Sequence, residues 1–271
     1  MNFEPNELQA ALVMDLYKVA FKQNACGNAR YGQNYYDFGE GGLVFTSPGQ
    51  VFESPGNSAS SGKMLLIHPD FLLSYPLAKG IKNYGFFSYA ANEALQLSDQ
   101  ERLTILTVFD ILNEELNSRI DHFSQDVIVS QIELLLNYSN RFYSRQFITR
   151  KAVNNEYLQK LEDVLREYCA QDKAIKYGVP TVHYVASQLH LSSGYLSDML
   201  KSLTGQNAQQ LIHQKIVEEA KEVLSASNLS IAEIAYQLGF EHPQFFSRLF
   251  KLKTEVSPND FRKLIIQGFK N

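Results

Sequence analysis

Cysteine is nearly missing from this 271-residue chain: Cys26 and Cys169 stand alone, in no CxxC and no Cys/His cluster. That argues against a disulfide-stapled scaffold and a structural zinc site, and two lone thiols suit a reducing cytosol. Long apolar runs are missing too. The first residues carry no basic patch, and their apolar stretch, Ala10 to Met14, is too short for a signal peptide or a membrane span. A cytoplasmic chain with no membrane partner is expected. The histidines include no HxH pair, and His122, His183, His190 and His213 have no metal-ligand spacing, so no metal and no cofactor are expected. Positive charge is not in excess either. The net charge of −4 speaks at first sight against a polyanionic partner. By segment, however, residues 1–150 carry net −5, residues 151–180 balance, and residues 181–271 carry net +1. Phosphate is neutralised by local cations rather than by the total, and Arg248, Lys251, Lys253, Arg262 and Lys263 cluster near the end of the chain.

What is present is enough apolar material for two cores: 45% of the residues, with eighteen Phe and fifteen Tyr. The first part reads as strands and turns. Leu16 to Phe21 is a β-type run, and Tyr35 to Phe38 leads into the turn Gly39 to Gly42. Leu43 to Thr46 stops at Ser47-Pro48-Gly49, and Lys63 to His68 stops at Pro69, with a surface loop over residues 54–62. Short antiparallel strands at this spacing suggest a barrel or sandwich.

Helices come next. Ser98 and Glu101 form a capping box, and Leu103, Leu106, Phe109, Ile111 and Leu112 keep a helical period. Ser124 caps a second helix to about Arg145, with Val127, Ile128, Ile132, Leu135, Leu136 and Phe142 near one side. Residues 146–156 are polar and read as a hinge. Tyr157 to Cys169 is amphipathic through Leu158, Leu161, Val164 and Leu165, and Gly178-Val179-Pro180 separates it from the next helical segment.

Two later stretches then spell the same pattern. Val185-Ala186-Ser187-Gln188-Leu189 runs to Leu196-Ser197-Asp198-Met199-Leu200-Lys201, and Ile234-Ala235-Tyr236-Gln237-Leu238 runs to Phe246-Ser247-Arg248-Leu249-Phe250-Lys251. Their offset changes from 49 to 50, so the second copy carries one extra residue in its turn. Each reads as helix, corner, helix, the pattern that lays its second helix in the DNA major groove. In the first, Tyr195, Leu196, Met199, Leu200 and Leu203 form the inward stripe; Gly194, Ser197, Asp198 and Lys201 face out. In the second, Phe245, Phe246, Leu249 and Phe250 point in; Gln244, Ser247, Arg248 and Lys251 point out. Pro243 suits the first helical position, leaving His242 as cap. One such outward stripe would read as a solvated face. Two that match at apolar and polar positions read as base-reading edges, since Arg can grip guanine, Gln adenine and Ser either. Residues 207–224 form a long helix between them, holding the edges about one DNA turn, ~34 Å, apart.

The run Ile231 to Lys251, closed by Ser257-Pro258-Asn259-Asp260-Phe261-Arg262, resembles the signature of AraC/XylS-type transcriptional regulators, over roughly residues 157–267. The resemblance implies an all-α DNA-binding domain of about seven helices with two helix-turn-helix units. It places Ser193, Gly194, Ser197 and Asp198, then Pro243, Gln244, Ser247 and Arg248, toward bases, and Lys201 and Lys251 nearer phosphate. Asp198 stands where the second copy has Arg248, so the first unit is expected to be selective but weak.

Residues 37–49 are similar to the cupin-like sensing domain that precedes many such DNA-binding domains. That implies a small-molecule pocket in a barrel, with Tyr17, Tyr36, Phe38, Phe45 and His68 as candidate ligand contacts. Phe21 and Phe71 belong to the same aromatic set, which reads more readily as core. The expected organisation is α+β: a β-rich cupin-like effector domain over 1–97, a helical cover or dimerisation segment over 98–150, and an AraC-type DNA-binding domain over 157–271. The function expected is a bacterial transcription regulator, more readily an activator than a repressor, that binds double-stranded DNA as a homodimer, with a small-molecule effector and RNA polymerase as further partners. A protein-interaction module with degenerate heads is the alternative. An enzyme fused to such a domain, a cupin or an alkyl acceptor, is disfavoured because neither metal ligands nor an activated thiol is evident.

Overall fold

The structure, a computed structural model, describes residues 11–23, 25–31, 34–38, 42–53, 61–170 and 173–268, with side chains described over 14–22, 42–50, 62–90, 92–150, 154–169 and 173–265. The chain divides into two compact units, residues 1–149 and 150–271.

The first unit is antiparallel β followed by helices. Its strands are β1 (Ala11–Val13), β2 (Tyr17–Gln23), β3 (Ala25–Tyr31), β4 (Asn34–Phe38), β5 (Gly42–Thr46), β6 (Val51–Glu53), β7 (Ser61–Ile67) and β8 (Leu95–Gln96). Short 3-10 turns and the one-turn α1 (Leu77–Gly80) lead to α2 (Asp99–Asn117) and α3 (Ser124–Thr149). Among the described residues the strands do not close into the expected barrel. They form an open sheet in the order β7-β2-β5-β8 and two separate pairs, β1-β6 and β3-β4. The reason is visible at the β8 edge. The Gln96 N–H donates to the Gln146 side chain at 2.8 Å, and its carbonyl accepts from Arg145 at 2.7 Å. Two α3 side chains thus satisfy the backbone groups that a next strand would have used. The turn expected at 39–42 and most of the loop expected at 54–62 lie outside the described residues.

One sheet face carries Tyr17, Val19, Phe21, Leu43, Phe45 and Ile67, all buried. It packs on aromatics from the 3-10 turns and α3: Phe45 lies 4.3 Å from Phe86 between ring centroids, and Phe86 stacks on Tyr143 at 5.6 Å. Each such ring contributes about 1.5–3 kcal/mol by burial alone. Ser98 and Glu101 close their capping box, and the same Glu101 carboxylate takes a two-pronged bond from Arg145 at 3.0 and 2.6 Å. The inward side of α2 is Ile105, Val108, Phe109 and Leu112, whereas Leu103 and Ile111, expected there, are exposed. The α3 stripe is buried except at Val127, and it continues through Tyr143, Gln146 and Phe147. The stretch 146–156, expected as a polar hinge, is mostly helical. Gln146 is buried because it clasps β8, and Asn154 because it joins a stripe of α4.

The second unit is all-α. It begins with α4 (Lys151–Ala170), whose Asn154, Leu161, Leu165 and Tyr168 form the inward stripe. Then come α5 (Lys173–Tyr177), α6 (Val182–Gln188), α7 (Ser193–Thr204), α8 (Ala208–Ala226), α9 (Ile231–Gln237), α10 (Pro243–Thr254) and α11 (Pro258–Gly268). With α4 the unit has eight helices among the described residues, where about seven were expected. The central one is α8: Ala208, Ile212, Ile216, Val217, Ala220 and Leu224 are buried, and it packs against α4, α6, α7, α9, α10 and α11.

Candidate nucleic-acid interface

Each duplicated unit starts with a capped short helix. The Thr181 hydroxyl accepts from the Tyr184 N–H at 3.1 Å to start α6, and Ser230 forms a capping box with Glu233 to start α9. The hydrogen bonds from Ser230 hold the Glu233 carboxyl below its ordinary pKa. The corners then match bond for bond. The Leu191 N–H donates to the Ala186 carbonyl at 2.9 Å, and the Phe240 N–H donates to the Ala235 carbonyl at 2.9 Å. The left-handed residue is His190 in one corner (φ +56°) and Gly239 in the other (φ +87°). The second helix begins after Ser192 in the first copy and after His242 in the second, so the extra residue falls between Phe240 and His242.

The second corner needs glycine for more than its dihedral angle. A Cβ on Gly239 would sit 2.5 Å from the Gly178 carbonyl carbon, 2.7 Å from its oxygen and 2.8 Å from the Ala174 carbonyl oxygen. Gly178 has φ +80° itself, and its carbonyl accepts from the Tyr168 hydroxyl at 2.9 Å. The Gly178-Val179-Pro180 segment, expected as a separator, is therefore the surface on which the second corner rests.

The second helices present the two edges. On α7, Tyr195, Leu196, Met199 and Leu200 are buried; Ser193, Gly194, Ser197 and Asp198 are half-buried, and Lys201 is exposed. On α10, Phe246 and Phe250 are fully buried, Pro243 and Ser247 are half-buried, and Gln244, Arg248 and Lys251 are exposed. His242 is exposed at the cap position and makes no side-chain capping bond, with Pro243 next in the chain as expected. One assignment changes. Phe245, expected inside, is 62% exposed, while Tyr195, its counterpart in the first copy, is 6% exposed. Helical period identifies the middle of an apolar stripe but not how wide an arc the neighbours cover, and less of α10 is covered than of α7. Leu203 and Leu249 are only half-buried for the same reason.

Charge separates the edges further. From Pro243 to Thr254, α10 carries Arg248, Lys251 and Lys253 and no carboxylate, with Glu241 and Glu255 flanking it. On α7, Asp198 offsets Lys201. The repeat also runs past the second helices. Gly205 (φ +76°) and Glu255 (φ +65°) end α7 and α10 in the left-handed conformation, donating at 2.9 Å to the Lys201 and Lys251 carbonyls. The preceding Thr204 and Thr254 hydroxyls donate back to Leu200 and Phe250. Asn207 and Ser257 then begin α8 and α11 at equivalent positions.

Two other groups in this unit are chemically informative. Burial, then the Glu219 carboxylate, push the Cys169 thiol up to about 11 against the pull of Lys215, the reverse of an activated nucleophile. Burial, then the Lys253 cation, push the His213 imidazole below its ordinary 6.5. Among the described residues no group of His, Cys, Asp or Glu is arranged to hold a metal ion, and no described helix is long and apolar enough to cross a membrane.

The ligand candidates of the first unit do not converge. Tyr17 is buried edge-on against Phe87 at 5.0 Å, and Phe45 is buried among Phe86, Phe87 and Tyr143. His68 is exposed and caps a 3-10 turn, its Nδ1 accepting from the Asp70 N–H at 3.2 Å. Tyr36 and Phe38 fall in β4, where side chains lie outside the described residues.

Comparison with known proteins agrees with the C-terminal architecture. The helix-turn-helix domain family matches residues 185–264. An uncharacterized HTH-type transcriptional regulator, YfiF of Bacillus subtilis, is 30% identical over 146 residues, 54% of this chain and 43% of that protein. The HTH-type transcriptional activator RhaS of Klebsiella pneumoniae is 28% identical over 141 residues, 52% of this chain and 46% of RhaS. Among solved structures, the C-terminal domain of the two-component response regulator yesN of Fusobacterium nucleatum is 32% identical. That match covers 38% of this chain and 93% of the domain, at a TM-score of 0.33. The matches thus cover less than half the length of these two curated relatives. Residues 185–264 thus carry a helix-turn-helix domain similar to that of AraC-type transcriptional regulators.

Proposed function

We propose that this chain is a sequence-specific, DNA-binding transcription regulator of the cytoplasm. The observation that carries the proposal is the pair of corners matched bond for bond, each followed by a helix with an outward polar edge. In this reading Ser193, Gly194, Ser197 and Asp198 of α7, and Pro243, Gln244, Ser247 and Arg248 of α10, face bases. Lys201, Lys251 and the exposed His242 lie nearer phosphate. Because α10 is wholly cationic and α7 is balanced, the second unit supplies most of the affinity. Arg248→Ala is expected to cost about 1–3 kcal/mol of specific binding and to relax the preference at one base position. A titration of labelled duplexes selected by the full chain checks this. Unchanged affinity in the variant overturns the assignment of Arg248.

Activation rather than repression is the favoured sign, which would make RNA polymerase a partner. The first unit serves as an effector or dimerisation domain, in a cupin-like role without metal. Support for an effector comes from the sheet face opposite the aromatic core. There Lys18 and Thr46 are paired across β2 and β5 and buried, and burial, then the neighbouring Lys22, hold the Lys18 amine below its ordinary pKa. For a homodimer through residues 124–145, support is narrower: Val127 and Leu134 are the apolar positions of that stretch left exposed. A second reading, a protein-interaction module with degenerate heads, is favoured by Asp198, whose carboxylate stands on a helix edge that would meet phosphates. Salt-independent failure to bind any duplex would select it.

A further inference from the structure

Phe245 is the residue on the second reading helix that neither the core nor the polar edge explains. Its counterpart Tyr195 is buried, so the fold has a place for a ring at this position; in α10 the ring stays 62% exposed instead. It lies one residue after Gln244 and three before Arg248, in the first turn of α10, and its ring centroid is 5.6 Å from that of exposed His242. At 100° per residue, Phe245 flanks the Gln244 and Arg248 edge, about 60° around the helix from Arg248. The surroundings fit a polyanion, since α10 bears three cations and no carboxylate. Leu252 is also exposed on this side, but seven residues on it stands about 10 Å further from the leading end of α10.

We propose that Phe245 reads thymine in the major groove, its ring packing on the C5-methyl group beside the base pairs met by Gln244 and Arg248. Thymine is the base that offers an apolar group there, and a phenylalanine face is a suitable partner for it. The exposed ring then gains in the complex the apolar contact that it lacks in the free chain. The first unit has no such element, because Tyr195 is spent in the core. The proposal rests on the DNA-binding reading above and adds one base preference to it.

The test uses the full chain and the duplex it selects best from a random pool, with each thymidine replaced singly by deoxyuridine, which removes the methyl and no hydrogen-bonding group. At one or two positions the replacement should weaken binding roughly fourfold, the size of one buried methyl. In Phe245→Ala, whose exposed side chain is dispensable for folding, the methylated and unmethylated duplexes should bind equally at those positions. If Arg248→Ala weakens binding but no deoxyuridine effect disappears in Phe245→Ala, the Phe245 proposal is overturned while DNA binding stands. A folded chain that selects no duplex at all overturns both.

Discussion

The corner residue of each unit shows how a local dihedral and a distant contact combine. His190 and Gly239 hold the same left-handed place, and at Gly239 a Cβ would meet the Gly178 and Ala174 carbonyls. A side chain there faces both the dihedral penalty and a steric one. Gly205 offers a control, with φ +76° and open space around a would-be Cβ. Gly205→Ala should cost only the dihedral penalty, of order 1 kcal/mol. Gly239→Ala should cost clearly more, because backbone carbonyls rather than flexible side-chain ends must move. Urea denaturation of the full chain checks the order, and equal midpoints for the two variants would refute the packing role of Gly239. The same pair shows where sequence reasoning stops. The pattern Gln237-Leu238-Gly239 against Gln188-Leu189-His190 places both corners, but the segment that Gly239 faces, Ala174 to Gly178, lies far upstream in the chain.

At the scale of the element, the charge of α10 is felt by a histidine of α8. His213 of α8 has its pKa pushed down first by burial and then by Lys253 of α10. A histidine with a depressed folded pKa binds fewer protons folded than unfolded. Its contribution to stability is therefore whole above pH 6.5 and is lost as pH falls through the lower folded value. His213→Gln should flatten the decline in stability between pH 7 and pH 5, read as urea midpoints across that range. An unchanged slope would mean that other groups govern it. Elements differ in how legible they are in the sequence. The capping boxes at Ser98 and Ser230 and the buried centres of α7 and α10 follow from spacing, because hydroxyl, carboxyl and apolar positions act within one turn. β3 is not legible, since Ala25-Cys26-Gly27-Asn28 lacks β-branched residues and the register with β4 holds only at Ala25 and from Ala29 to Tyr31. The outward turn of Phe245 and the inward turn of Gln146 depend on what packs nearby, which periodicity does not encode.

For the whole molecule, the duplicated units make a geometric claim. The second helices of both units flank α8, a rod of 19 residues and about 28 Å, with α7 and α10 packed against it. The proposed base-reading edges do not depend on the open sheet and aromatic core of the first unit. If the two edges serve one operator, they must enter the major groove on one side of a duplex about one turn, 10–10.5 base pairs, apart. Hydroxyl-radical footprinting of the full chain on its selected duplex measures this directly. Two protected segments separated by about one helical turn are expected, with the segment assigned to α10 lost first in Arg248→Ala. A single protected segment, or two that fall on opposite sides of the duplex, would contradict the tandem-reading mechanism.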